Sequence, residues 1–420
     1  MNVLFLSGHL PSPNARQAGQ KISYYLCEYL ARRHSVQLAA FATVGERESW
    51  NQDCERIFPS PIIFPVTGAA RLLGVGLAPH LPLSVAARHQ LSVRRALAGI
   101  QHKRRFDVVI FDHMATWQYA GAVQAPAFRV GIAHDVLSDL WSKKAKHGGG
   151  FAAWLESRRL RRWERNAIRS LDLICTLNNK DAAFVSQLGE GVEQCVLQPW
   201  FSRPPARRPA AGGREGGSLV FLGAFDRNEN VDAVHFAIND VLARVTTAAP
   251  QCTLYVTGFA SELLPLRLTG RCAVQVKGFL PDLPAFLSQM QIALLPMRLG
   301  AGIKIKVLEC MAAGLPVVTT ATGTEGIPGV EGVHFVVGHT AEELAGHVIS
   351  LLHNEPLRAR IGRAAREFIR TNYDFEASAR EFERLLIRRL NTCKIATRPI
   401  RGPVESKLPG IPCRRQLPKT

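Results

Sequence analysis

The chain has 420 residues, 47% of them hydrophobic and 20% charged, an ordinary balance for a folded protein. That length is too great for a single core and suits two domains of about 200 residues each. With 52 basic and 34 acidic residues the formal net charge is +18, an excess that seeks a polyanion: nucleic acid, an anionic membrane, or a nucleotide with a phospholipid acceptor.

In chain order, Asn2 to Ser7 is an apolar run that predicts the first strand. A loop rich in Ser, Pro, Gly and Asn leads to Gly19 and Gln20, where Ile22, Tyr25, Leu26, Tyr29 and Leu30 recur at the spacing of an amphipathic helix. Leu72 to Leu83 alternates glycine, proline and large apolar residues and reads as a loop running into a helix with Arg88, Arg94, Arg95, Lys103, Arg104 and Arg105. It is either a plain domain edge or an apolar insertion beside a basic face that lies on an anionic bilayer. Asp107 to His113 and Phe128 to Asp135 predict two strands that carry Asp112, His113, His134 and Asp135 to one sheet edge, where ligands sit in open α/β sheets. Leu155 to Arg169 predicts an arginine-laden helix, and Leu171 to Asn178 and Cys195 to Trp200 the last strands of a first domain over residues 1–205.

Phe201 to Ser218 has prolines first and glycines later, the composition of a mobile connector. Ser218 to Phe225 then predicts a strand, followed by a turn and a helix opened by an Asn cap, with Val231, Val234, His235 and Ile238 at helical spacing. Cys252 to Gly258 and Val274 to Phe279 predict further strands, and Leu283 to Met290 a short helix. Ile292 to Met297 has the composition of a buried parallel strand, Gly300 and Gly302 form a turn, and Val307, Leu308, Met311 and Ala312 give one apolar helix face before Gly314 and Pro316. The PVVTT run is the next strand, so the segment is half of a doubly wound, phosphate-binding sheet. Val333 to Gly338 predicts the last strand; Glu342 to His353, Pro356 to Thr371 and Phe375 to Leu390 predict three helices. The second domain is therefore placed at 218–373, the last helix (about 374–390) is assigned to the first domain, and 391–420 is expected to be a disordered basic tail.

Lys304 and Lys306 stand at the mouth of the motif helix, where each opposes the helix dipole by roughly 0.3–1 kcal/mol. Two readings fit the spacing. In one, the turn amides and Lys304 hold a diphosphate while Glu309 grips two ribose hydroxyls; in the other, the lysines are a solvated edge and Glu309 a helix-surface residue.

GAGIKIKVLECMAAGLPVVTT followed by GTEGI resembles the donor-binding signature of retaining glycosyltransferases of family 4, in the GAGIKIKVLE form of a branch that resembles sugar transferases of bacterial exopolysaccharide biosynthesis. The resemblance implies an α/β protein of the GT-B fold: two facing Rossmann-like, doubly wound domains with a C-terminal helix crossing back to the first. It matches Glu309 to the second glutamate of the family's pair, the ribose ligand, while the first falls at Ala301 and is missing. Gly300, Gly302, Ile303 and Lys306 fall in the donor loop, and Arg227 matches a basic residue facing the diphosphate, with Asn230 where many relatives have lysine. Arg298 and Lys304 are then suited to the departing diphosphate. Gly19 matches a glycine near the sugar and acceptor, and His134, beside Asp135, a histidine near the donor sugar. The implied reaction moves a sugar from a nucleoside-diphosphate sugar to a hydroxyl of a glycan or lipid-linked acceptor with retention. In it the leaving diphosphate helps to take up the acceptor proton, with no protein nucleophile, no tightly bound cofactor and no metal. A GT-B nucleotide-sugar epimerase and a non-catalytic basic binding protein are the rival readings.

The nine cysteines form no Cys-x-x-Cys pair, which points to reduced thiols rather than a zinc site or disulfide framework. Apolar runs stop well short of the roughly 18 residues of a membrane span, and the first residues lack the basic start of a signal peptide. A cytoplasmic protein is expected, held at most peripherally on the anionic inner face of the cell membrane. Specific nucleic-acid binding is not expected, because no zinc finger, basic zipper or RNP-like strand accompanies the cations.

Overall fold

The structure, a computed structural model, describes residues 1–396 apart from Arg16, Ser49, Gln124, Glu190, 202–216 and 265–272. Nearly all of the expected connector and the tail beyond Ala396 lie outside the described residues. Seven strands, β1 (Asn2–Ser7), β2 (Ser35–Ala42), β3 (Ile62–Pro65), β4 (Val108–Asp112), β5 (Phe128–Ala133), β6 (Leu173–Thr176) and β7 (Glu193–Val196), form one parallel sheet in the order β3-β2-β1-β4-β5-β6-β7. Six more, β8 (Ser218–Leu222), β9 (Thr253–Thr257), β10 (Ala273–Gly278), β11 (Ile292–Leu295), β12 (Val317–Thr319) and β13 (Val336–Val337), form a second in the order β10-β9-β8-β11-β12-β13. Both orders reverse direction beside their first strand, so crevices open at the carboxyl ends of β1 and β4 and of β8 and β11.

The strands are apolar throughout because both sheet faces are covered. In β1, Leu4 and Leu6 pack with Phe41, Phe111 and Trp117, while Val3 and Phe5 face the opposite way onto Leu38, Ile110 and Ile132. The second sheet has one continuous core that includes Phe221, Leu254, Leu294 and Val318. The last helix, Phe375–Ala396, sets Ala379, Phe382, Leu386 and Leu390 into the core of the first domain. There its Glu383 accepts from the Tyr29 hydroxyl at 3.0 Å and pairs with His34 Nε2 at 2.8 Å. The chain thus returns to the domain in which it began, and its last helix runs past the expected Leu390.

Three expectations are corrected. The Leu72–Leu83 stretch is not all loop: helix Gly68–Leu77 covers its first half, opened by Thr67, whose side chain accepts from Ala70 N. Its Gly74 is there for close packing, since a Cβ would lie 2.4 Å from Ala86 O. The arginine-bearing helix is Leu91–Lys103, so Arg88, Arg104 and Arg105 fall outside it, and Arg104 instead donates to Asn2 Oδ1 at 2.8 Å and to the Ser35 hydroxyl. Helix Asn228–Phe236 has Arg227 at its N-cap position and no side-chain cap; Asn230 lies inside it and donates to Ala224 O at 2.7 Å.

Candidate active site

The loop after β11 leads directly into helix Ile305–Ala312. Gly300 and Gly302, at φ 120° and 67°, take backbone angles that other residues adopt only with strain, and the turn they make folds the Lys304 side chain inward. Lys304 is 7% exposed, and its Nζ donates to Ala301 O at 3.1 Å and Gly302 O at 2.7 Å. Burial lowers its pKa, although Glu325 and Asp135 pull the other way. Lys306 donates to Asn230 Oδ1 and lies 5.7 Å from the Phe221 ring centroid. Burial, with the charges of Arg227 and Lys304 added, brings its pKa down to about 7. Ile303 belongs to the apolar core, and Glu309 is half-buried on the same helix. Arg298 leans the other way: it pairs bidentately with Asp232, Nε to Oδ2 at 3.0 Å and Nη2 to Oδ1 at 2.5 Å, and lies 4.4 Å from the Phe236 ring centroid. Arg227 is half exposed, 3.8 Å from Glu229 Oε1.

In the first domain, β4 ends at Asp112 and His134 follows β5. Asp112 is 2% exposed; its Oδ2 accepts from the Ser7 hydroxyl at 2.7 Å and its Oδ1 lies 2.7 Å from His134 Nε2. Burial alone would raise the carboxyl's pKa, but His134 and the Ser23 and Ser7 hydroxyls outweigh it and lower it. Gly19 abuts this histidine, and a Cβ there would sit 3.4 Å from His134 Nδ1. Beyond lies a second polar group. Glu46 accepts from Gln20 Nε2 at 2.5 Å and lies 3.4 Å from His9 Nδ1; His9 and His113 meet edge to face at 5.3 Å, and Arg88 Nε donates to Gly8 O at 3.1 Å.

The two edges meet. A Cβ on Gly302 would come 1.9 Å from Asp135 Oδ1 and 3.2 Å from the His134 carbonyl oxygen, so only glycine lets the loops approach this closely. Glu325, in the loop after β12, accepts from Lys143 Nζ at 2.5 and 2.6 Å and lies 3.0 Å from Lys180 Nζ, both from the first domain. Its other neighbour is Lys304 Nζ at 3.8 Å. Burial would raise the Glu325 pKa, but the lysines lower it. Of the residues singled out in the sequence, Gly302, Lys304, His134 and Gly19 come together here, and Arg298 turns away. Lys143 and Lys180 carried no sequence signal, being far from Glu325 in the chain, whereas Glu325 stood inside the GTEGI segment with no role attached.

Among the described residues no group of three or more His, Cys, Asp or Glu is arranged to hold a metal ion. No described helix is long and apolar enough to cross a membrane.

Residues 216–354 match the family model described as "Glycosyl transferases group 1". Over 92% of its length the chain superposes on all of Anabaena HepE, solved with UDP-glucose, at a TM-score of 0.63 and 15% identity. It covers 99% of WaaG, a glycosyltransferase involved in lipopolysaccharide biosynthesis, over 91% of its own length, at 0.62 and 19%. The fold is GT-B. A sequence relative, an uncharacterized protein in the cps region of Klebsiella pneumoniae, is 26% identical over 165 residues, which is 37% of this chain and 42% of that protein. The match in the second domain and the fold together support a glycosyltransferase.

Proposed function

We propose that the protein transfers a sugar, with retention, from a nucleoside-diphosphate sugar to a hydroxyl of a glycan or lipid-linked acceptor in the biosynthesis of a cell-surface polysaccharide, as a member of family 4. The observation that carries this reading is the pair of lysines at the mouth of helix Ile305–Ala312, Lys304 buried and Lys306 half-buried with a lowered pKa, at the switch point of the second sheet. Lys306 makes no ion pair among the described residues, and its nearest charges include Arg227 and Lys304. Glu325 and Glu229 stand at the edge of this cluster, each 3.8 Å from one of its cations, and neither pairs with Lys306. A diphosphate set against the turn amides supplies an anion for it, and the positive helix end adds to the attraction.

Under this reading Lys304 and Lys306 hold the diphosphate, Glu309 takes the ribose, His134 stands beside the donor sugar with Asp112 and Ser7 behind it, and Gly19 lies near the sugar and the acceptor. The cleft is the place where a departing diphosphate gains charge, and Lys304, fixed by two carbonyls before the donor arrives, needs little reorganisation to meet it. Arg298, tied to Asp232, reaches the diphosphate only by giving up that pair. A cps-region relative and neighbours solved with UDP or a UDP sugar favour a UDP sugar and a polysaccharide product. A peripheral place at the inner face of the membrane fits the surplus of cations.

The test is to incubate the protein with a panel of nucleotide sugars, with and without lipid-linked acceptor, and to measure nucleoside-diphosphate binding in wild type and Glu309→Ala. Transfer dependent on acceptor is expected, with a loss of about 1.5–3 kcal/mol in nucleotide binding for the variant. Interconversion of sugars without an acceptor, or unchanged nucleotide affinity in the variant, would overturn the assignment.

A further inference from the structure

We propose that Asp112 is a positioning residue that fixes His134 as an imidazolium in the cleft, its Nε2–H given to Asp112 and its Nδ1–H held ready for an oxygen of the bound donor. The inference deepens the transfer reading and rests on it for the identity of the ligand.

The geometry decides the proton on Nε2. Asp112 is buried with a hydroxyl bonded to Oδ2, so its Oδ1 at 2.7 Å from Nε2 is an acceptor, and the nitrogen must donate. A carboxylate behind one ring nitrogen fixes the ring's orientation and presents the other. That other nitrogen, Nδ1, makes no hydrogen bond to a described residue and lies against Gly19, whose missing side chain leaves the space in front of it. His134 is 11% exposed at its side chain, so little water competes for the site.

The neighbours allow one cation here. On β4's end are Asp112 and His113, the latter with its ring centroid 6.3 Å from that of His134. Burial, then His9, His134 and Arg88, hold His113 well below the ordinary histidine value, so it is neutral. His9, behind it and beside Glu46 and Arg88, is also lowered, chiefly by burial. From helix Ala18–Ala31 the groups facing Asp112 are Ser23 and the buried thiol of Cys27, whose pKa burial raises. Asp135, next in the chain, adds a second negative charge. Burial works against a charged His134, yet the Asp112 carboxylate outweighs it and the net direction is upward. A base would need Nδ1 free of its proton; an imidazolium offers Nδ1–H to an oxygen that is gaining charge.

The sign follows. The cation is present below the raised pKa and is lost as pH rises through it, so turnover falls on the alkaline side. In the full-length protein, ¹⁵N-histidine NMR should show His134, assigned with His134→Gln, protonated at both nitrogens at neutral pH. Asp112→Asn should move that titration down by about 1 to 2 units, the range for loss of one adjacent charge. The alkaline limb of kcat should move down with it, and His134→Gln, which keeps a donor for Asp112, should lose the limb. That variant and the wild-type titration carry the test if Asp112→Asn does not fold. A wild-type His134 neutral at pH 7, or an Asp112→Asn variant slowed equally at every pH, would overturn the proposal. The titration needs no turnover, so if it behaves as stated while no nucleotide sugar is consumed, the charge state stands and the transfer reading falls.

Discussion

Gly302 of the second domain and Asp135 of the first are in such close contact that any side chain on the glycine would overlap the carboxylate, a Cβ falling 1.9 Å from Oδ1. With φ at 67°, an alanine would add backbone strain of roughly 1–2 kcal/mol to that overlap. Gly302→Ala is therefore expected to hold the loops apart, leaving the melting temperature within a few degrees while kcat drops about tenfold or more, the effect of some 1.4 kcal/mol on the barrier. Small-angle scattering should show a more open molecule. Adding Asp135→Ala removes one side of the overlap, and a non-additive recovery of closure in the double variant is the check. Independent, additive losses would mean that the contact does not set closure.

Lys306 makes a prediction about protons. Its pKa of about 7 in the empty site reflects burial and like charges, and a phosphate bound beside it favours the ammonium. Nucleoside-diphosphate binding should take up as much as one proton near pH 8 and little near pH 6. Calorimetry in two buffers of different ionisation enthalpy measures this directly, and Lys306→Met should abolish it. In the absence of ligand the depressed folded value means that this group costs stability as pH falls from the ordinary lysine range towards 7 and no further below it. An uptake independent of pH would remove Lys306 from the phosphate site.

The motif was legible because its chemistry is local: a strand, two glycines, two lysines and a helix face within twenty residues define one loop. The first strand and first helix were legible for the same reason, as hydrophobic period is a local signal. β2 was not, because Ala39, Ala40 and Ala42 are small and the run SVQLAAFA lacks the β-branched density that marks a strand. The Leu72–Leu77 helix was hidden by Gly74 and Gly76, which read as breakers although one of them serves close packing. What no pattern could give were pairs made by folding. Asp112 and His134 are 22 residues apart, and Lys143 and Glu325 182 apart, and each pair is joined only when sheet edges assemble.

That Lys143–Glu325 pair spans the two domains, which makes its strength a measure of closure. Lys143 and Lys180 both point at one carboxylate, with Asp139 2.6 Å from Lys180 as a counter-charge. Partly exposed ion pairs contribute about 0.2–1 kcal/mol each, so the network biases closure without locking it. Glu325→Gln should shift scattering of the unliganded protein towards an open form and raise KM for the donor about two- to fivefold, corresponding to roughly that energy. High salt should mimic the substitution in wild type and add little in the variant. Unchanged scattering in both would show that closure depends on packing alone.

The membrane proposal can now be put on named side chains. Helix Gly68–Leu77 exposes Leu72 at 77%, Leu73 and Leu77, and helix Gly150–Ile168 exposes Phe151 at 74%, Trp154 and Leu155. Arg159 of the second helix donates to Pro79 O and Leu81 O at 2.7 Å, which ties that helix to the segment that follows the first one. Arg158 lies 5.0 Å from the Trp154 ring centroid, and Arg71 flanks Leu72, which sets cations beside apolar side chains as a bilayer surface demands. Each cation near an anionic leaflet is worth about 1 kcal/mol, and salt removes that attraction. The protein should co-sediment with anionic vesicles, bind neutral ones weakly, and be released at high ionic strength. Leu72→Ser with Phe151→Ser should remove most binding. Arg104→Ser should not, because that arginine is already engaged with Asn2 and Ser35 inside the domain. Binding lost in the arginine variant but kept in the Leu72/Phe151 variant would move the contact away from these helices, and equal binding to neutral and anionic vesicles would leave the surplus charge without this role.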